Sequence, residues 1–153
     1  MPTIRLKTLI NADIETCFNL ARSIDLHLES TKQTGERAIA GRTSGLIELG
    51  ETVTWSARHF GIRQTLSSKI TQMQTPVSFT DEMIEGAFKS FKHEHYFANE
   101  NGQTVMTDIF TFQAPLGWLG QLADRLFLTR YMTSLLLKRN EVIKAVAEVD
   151  KRA

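Results

Sequence analysis

Three histidines and two aspartates stand at positions where they could do chemistry: His59, His93, His95, Asp81 and Asp108. Histidine titrates near neutrality, and a carboxylate beside it fixes its tautomer and raises its basicity. His59, His93 or His95, with Asp108 as an orienting carboxylate, are therefore the candidates for general acid or base work. His93 and His95 at spacing two, with Asp81 or Asp108 as a third ligand, could also hold a metal ion. Hydrogen-bonded histidines are the commoner outcome of such a pattern, so neither a metal nor any other cofactor is expected. The chain carries no Ser-His-Asp signature, phosphate-cradling glycine loop or nucleotide fingerprint.

Period-two alternation decides which way these groups point. In Ser90–Phe97, Lys92 and Glu94 alternate with Phe91, His93, His95 and Phe97. Charged side chains belong in water, so the histidines face inward. The same test turns Val53, Trp55, Ala57 and His59 inward, and likewise Ile62, Gln64, Leu66, Ser68 and Ile70. It favours Val77, Phe79, Asp81 and Met83 less cleanly, and Met106, Asp108, Phe110 and Phe112 complete the set. An apolar wall with a few polar groups has the character of a small-molecule site. Its expected lining is Trp55, His59, Gln64, Phe79, Asp81, Phe91, His93, His95, Met106, Asp108 and Phe110. The competing reading is a filled core in which the polar groups satisfy one another, although five titratable groups are many for that.

Asn101-Gly102 is the favoured centre of a two-residue type I′ hairpin. Paired residues then sum to 203, which sets Phe97 beside Met106, His93 beside Phe110 and His95 across from Asp108. Side chains so opposed come within hydrogen-bonding reach. His95–Asp108 is then either an oriented histidine facing a ligand or a structural pair that pins the register.

The surrounding elements follow from patterning. Thr3–Ile10 reads as a strand, Asp13 caps a helix containing Ile14, Cys17, Phe18 and Ala21, and Ser23–Ser30 reads as a second short helix closed by Gly35. Six strands follow, near Glu36–Ala40, Glu51–His59, Ile62–Met73, Val77–Ile84, Phe88–Ala98 and Gln103–Phe112, joined by connections short enough to make them antiparallel neighbours. Helix formers run from Pro115 and Gly117 to the end. Their apolar side switches from Leu119, Leu122, Ala123 and Leu126 to Leu128, Tyr131, Leu135, Val142, Val146 and Val149, so a kink is expected near Phe127–Thr129. Trp118, like Trp55, could stack on a flat ligand or serve as core.

This order, with Ile24-Asp25-Leu26-His27, Glu51 through Gly61, Phe79-Thr80-Asp81-Glu82-Met83, Phe91-Lys92-His93-Glu94-His95, Met106-Thr107-Asp108 and Pro115-Leu116-Gly117, resembles the START-like (SRPBCC) superfamily, which includes polyketide cyclases and lipid-transfer domains. The resemblance covers nearly the whole chain and implies an α+β helix-grip fold. In that fold a seven-stranded curved antiparallel sheet wraps a long C-terminal helix, with two short helices after the first strand and a hydrophobic cavity between. It implies no catalytic set.

Residues 1–153 are expected to form one domain. Lys plus Arg number 18 against 17 Asp plus Glu, dispersed along the chain, so a nucleic-acid partner is not expected. Cys17 is the only cysteine, which excludes an intrachain disulfide. No transmembrane run or signal peptide is read, so the expected location is cytoplasmic. A homodimer is left open. The leading reading is a binding protein or carrier for a small hydrophobic or aromatic molecule, a lipid included. A cyclase, hydratase or dehydratase using a pocket histidine is the alternative, and an interaction module with a filled cavity is the third.

Overall fold

The computed structural model describes residues 1–86, 88–114 and 127–152. Strand β1 (Thr3–Ile10) leads into helices α1 (Ile14–Ala21) and α2 (Ile24–Ser30). After a 3₁₀ turn at Lys32–Thr34 come β2 (Arg37–Gly41), β3 (Thr52–His59), β4 (Ile62–Gln74), β5 (Ser78–Gly86), β6 (Ser90–Glu100) and β7 (Gln103–Gln113). Helix α3 (Thr129–Arg152) ends the chain. All seven strands form one antiparallel sheet in the order β1-β7-β6-β5-β4-β3-β2, so six consecutive strands form a meander and β1 closes against the last.

Local chemistry sets the helix starts. The Asp13 carboxylate accepts from the Thr16 amide at 3.3 Å and from the Thr16 hydroxyl at 2.6 Å, satisfying a donor that the first turn of α1 leaves unpaired. Ser23 caps α2 by accepting from the Leu26 amide at 3.1 Å. Asn101 and Gly102 both take positive φ (54° and 81°), as the type I′ turn requires, and every β6–β7 pair sums to 203.

The concave face carries two apolar clusters. One gathers Phe18, Ile24, Val53, Phe79, Phe97, Met106 and Ile143 under α1 and the middle of α3. The other joins Ile4, Phe91, Phe110, Phe112 and Leu136. Helix α3 approaches β1, α1 and α2 most closely and leaves space over the middle strands.

Several inward assignments need correction. Ile62 and Val77 are exposed (63% and 39%), because each lies at or just outside a strand end, beyond the cover of the helices. Register shifts between Ser67 and Ser68 and between Ile70 and Gln72 disturb the alternation of β4 against β5, and Thr80 is buried as well as Phe79. The buried stripe of α3 is Leu136, Arg139, Asn140, Ile143 and Ala147. Val149, expected inside, is 61% exposed. Counting only apolar residues skipped the polar pair at the centre of the true stripe and so rotated the expected face. Residues 127 and 128 form a π-type turn where the kink was expected. Pro115, Leu116, Gly117, Trp118, Leu119, Leu122, Ala123 and Leu126 lie outside the described residues.

Candidate functional site

Between the sheet, α2 and α3 lies a cavity of about 430 Å³. Of the side chains expected on its wall, Trp55, His59, Gln64, Phe79, Asp81, Phe91, His93, His95 and Phe110 line it. Met106 and Asp108 do not. Both face inward as the alternation requires, but both are fully buried: α1 approaches β6 and β7 over Met106, and Asp108 lies beneath a lid of polar side chains. Sequence reading missed His27 and Glu36 and, from α3, Arg139, although it placed Leu128, Tyr131 and Leu135 on one helix side and all three reach the wall.

A buried polar network forms one end. His93 Nε2 donates to Asp108 Oδ1 at 2.8 Å, and His95 Nε2 donates to Asp81 Oδ2 at 2.9 Å. The pairing is therefore diagonal. Asp108 stands directly across from His95 and Asp81 across from His93, yet each carboxylate takes its closer imidazole from two residues along β6. The expected His95–Asp108 proximity survives as an Nδ1–Oδ1 separation of 3.3 Å. Arg139 Nη1 donates to Asp108 Oδ1 at 3.3 Å and to Asn140 Oδ1 at 3.0 Å, while Asn140 Nδ2 donates to Asp108 Oδ2 at 2.8 Å and to Thr8 Oγ1 at 3.3 Å. Arg139 Nη2 donates to the Ala21 carbonyl at 3.2 Å and lies 3.4 Å from His95 Nδ1.

Stacking holds the rings. His95 lies between Phe79 at 4.0 Å and His93 at 3.8 Å, and His93 meets Phe110 edge-on at 5.3 Å. The column spans the seam between the two apolar clusters. Burial pushes His93 down to about 4, and the neighbouring His95 adds to this against the opposing pull of Asp108, so the ring is neutral at pH 7. Burial would raise Asp108, but the bonds from the two histidines and the Arg139 charge hold it well below the usual carboxylate range. Burial would raise Asp81 too, but the His95 hydrogen bond and the charges of His95, His93 and Arg139 together lower it.

At a second place on the wall the Tyr131 hydroxyl lies 2.5 Å from His59 Nδ1, with the rings edge-on at 5.6 Å. Burial lowers His59 and raises Tyr131, so both are neutral and the phenol donates to the ring nitrogen. Trp55 packs on His27 at 4.3 Å, and His27 Nε2 donates to Glu36 Oε1 at 2.8 Å. Cys17 is fully buried, and burial pushes its thiol up, away from reactivity.

Asp81, His93 and His95 are the described residues that could hold a metal, their ligating atoms lying within 4.8 Å of one another. Two ligands on one zinc ion stand at most ~4.2 Å apart, so a span at that limit would have to close. The Arg139 guanidinium beside His95 also opposes a cation.

No family profile matches the chain, and no curated protein matches it. Solved structures do. A protein of Thermus thermophilus superposes with a TM-score of 0.73 at 18% identity, covering 95% of this chain and 99% of that one. The ginseng (Panax ginseng) major latex-like protein 151 gives 0.68 at 18%, covering 95% and 97%. The di-domain ARO/CYC StfQ from the steffimycin biosynthetic pathway gives 0.79 at 13%, covering 99% of this chain and 52% of that one. The shared fold is the helix-grip architecture, consistent with the START-like (SRPBCC) resemblance of the sequence. At these identities the likeness extends to the helix-grip architecture and no further. Among the described residues, no helix is long and apolar enough to cross a membrane.

Proposed function

We propose that this START-like chain is a binding protein or carrier for a small hydrophobic or aromatic molecule held between the sheet and α3. The observation that carries the reading is the cavity itself. Its volume, about 430 Å³, falls in the range of small-molecule sites, and rings and aliphatic chains make up most of its wall. Polar groups enter at separate places, Tyr131–His59 and the Asp81–His93–His95–Arg139 network, which suits recognition of a mostly apolar molecule with few functional groups. The likeness to a protein of a biosynthetic pathway supports the same direction. Native mass spectrometry of freshly purified protein tests it: a retained small molecule, lost on denaturation, is the expected result. No adduct, together with no thermal shift from a library of hydrophobic compounds, would overturn it.

One observation favours a second reading, acid–base catalysis of the cyclase or hydratase kind. His93 is neutral, oriented by a buried carboxylate and set on the cavity wall, as a general base requires. Turnover of carbonyl substrates by the wild type, lost in His93→Ala, would establish it.

A further inference from the structure

Asp108 does more than hold His93 in place; it decides which ring nitrogen carries the proton. Its carboxylate is ionised, fully buried, and fixed by Arg139 Nη1 and Asn140 Nδ2. An ionised carboxylate only accepts, so His93 carries its proton on Nε2, the nitrogen 2.8 Å from Asp108. In the neutral ring Nδ1 is then a bare lone pair. Among the described residues it has no hydrogen-bond partner, although the residue is only 6% exposed and lines the cavity. A buried acceptor in that state is costly until something donates to it.

The neighbouring charges narrow what that donor can be. Arg139, the cation of this network, is directed at Asp108, Asn140, the Ala21 carbonyl and His95. Asp81 stands on the wall at the same end of the cavity, and Asp108 lies buried behind His93. A ligand carboxylate there would meet a lone pair and the nearby Asp81 charge, with both terminal nitrogens of Arg139 already engaged by Asp108, Asn140, the Ala21 carbonyl and His95. An uncharged hydroxyl meets neither difficulty.

We infer that His93 Nδ1 is the acceptor for a ligand hydroxyl, so that the cavity selects uncharged, hydroxyl-bearing molecules over their parent hydrocarbons, methyl ethers and carboxylates. The inference rests on the cavity-binding reading above and specifies the ligand class for that same site.

Titration calorimetry at pH 7.5 with four probes separates the two. Naphthalene measures the apolar cavity alone; 2-naphthol adds the donor; 2-methoxynaphthalene keeps the oxygen without the donor; 2-naphthoate adds charge. The expected order is 2-naphthol tighter than naphthalene and 2-methoxynaphthalene by about tenfold, the worth of one buried hydrogen bond, with 2-naphthoate weakest. His93→Phe should erase the preference for the alcohol while naphthalene still binds. His93→Gln should restore part of it, because the amide can donate to Asp108 and still present an oxygen to the ligand. If naphthalene binds but the alcohol and its methyl ether bind equally, or if His93→Phe keeps the preference, the inference fails and the cavity reading stands. If 2-naphthoate binds most tightly, the inference fails in the same way. If none of the four binds, both fail.

Discussion

His93 holds a neutral imidazole where the unfolded chain would hold one that titrates near 6.5, and this difference links stability to pH. Its folded pKa is depressed to about 4. Between those two values the unfolded state binds the proton and the native state does not, so stability is complete above pH 6.5 and falls as pH drops towards 4. The full span corresponds to at most about 3 kcal/mol. Urea unfolding at pH 7.5 and pH 4.5 should show the loss in wild type and a smaller one in His93→Gln. Below that window the depressed Asp108 adds a second loss as it is finally protonated. Arg139 provides a different test. Replacing it with leucine leaves Asp108 buried beside no guanidinium and should cost about 3–5 kcal/mol. Adding Asp108→Asn to that variant removes the orphaned charge and should recover part of the loss, measured in the same unfolding series. Neither role of Arg139 or Asn140 was legible in the sequence. A basic residue on a helix defaults to solvent, and nothing local announces that this one spans from the helix to a carboxylate on β7.

The β6–β7 hairpin was legible in detail, because turn chemistry and alternation constrain it independently. Asn101-Gly102 fixed the register, Lys92 and Glu94 fixed the facing, and together they set His95 across from Asp108. What they could not fix was the choice of partner. Directly opposed and diagonal neighbours are both within reach of an imidazole, and the ring rotamers, stacked on Phe79 at one end and edge-on to Phe110 at the other, chose the diagonal. The end of β5 shows the limit of pattern more plainly. Gly86 has φ 149°, and a Cβ there would stand 2.7 Å from Leu66 Cα and 2.9 Å from the Thr65 carbonyl oxygen. Both contacts involve backbone, so Gly86→Ala must push β4 and β5 apart. A loss of at least ~1 kcal/mol is expected in thermal melts, larger than that of Gly102→Ala, whose Cβ meets nothing and whose strain is conformational alone.

For the whole molecule, the strand count and the presence of a cavity were legible, since an antiparallel meander and a long helix leave few ways to bury one face. The depth at which each inward residue sits was not, because it depends on where α1 and α3 lie, and Met106 was placed one layer too shallow for that reason. If the cavity binds ligand, Ala57→Phe should fill it from β3. Affinity for any hydrophobic probe should fall by tenfold or more, with thermal stability unchanged or raised, as filling a void requires. The two ends of α3 are also held differently. Towards its C-terminus, Lys144 Nζ donates to the Leu9 carbonyl at 2.6 Å and Glu148 Oε2 accepts from the Asn11 amide at 2.9 Å. Towards its start, Tyr131, Met132 and Leu135 border the cavity. Amide hydrogen exchange should therefore be graded along one continuous helix. The amides of 141–148 should exchange only through global unfolding, while those of 133–137 exchange through a cheaper local opening. A bound molecule should slow the second set and leave the first unchanged, and uniform protection along α3 would show that the helix opens as a single unit.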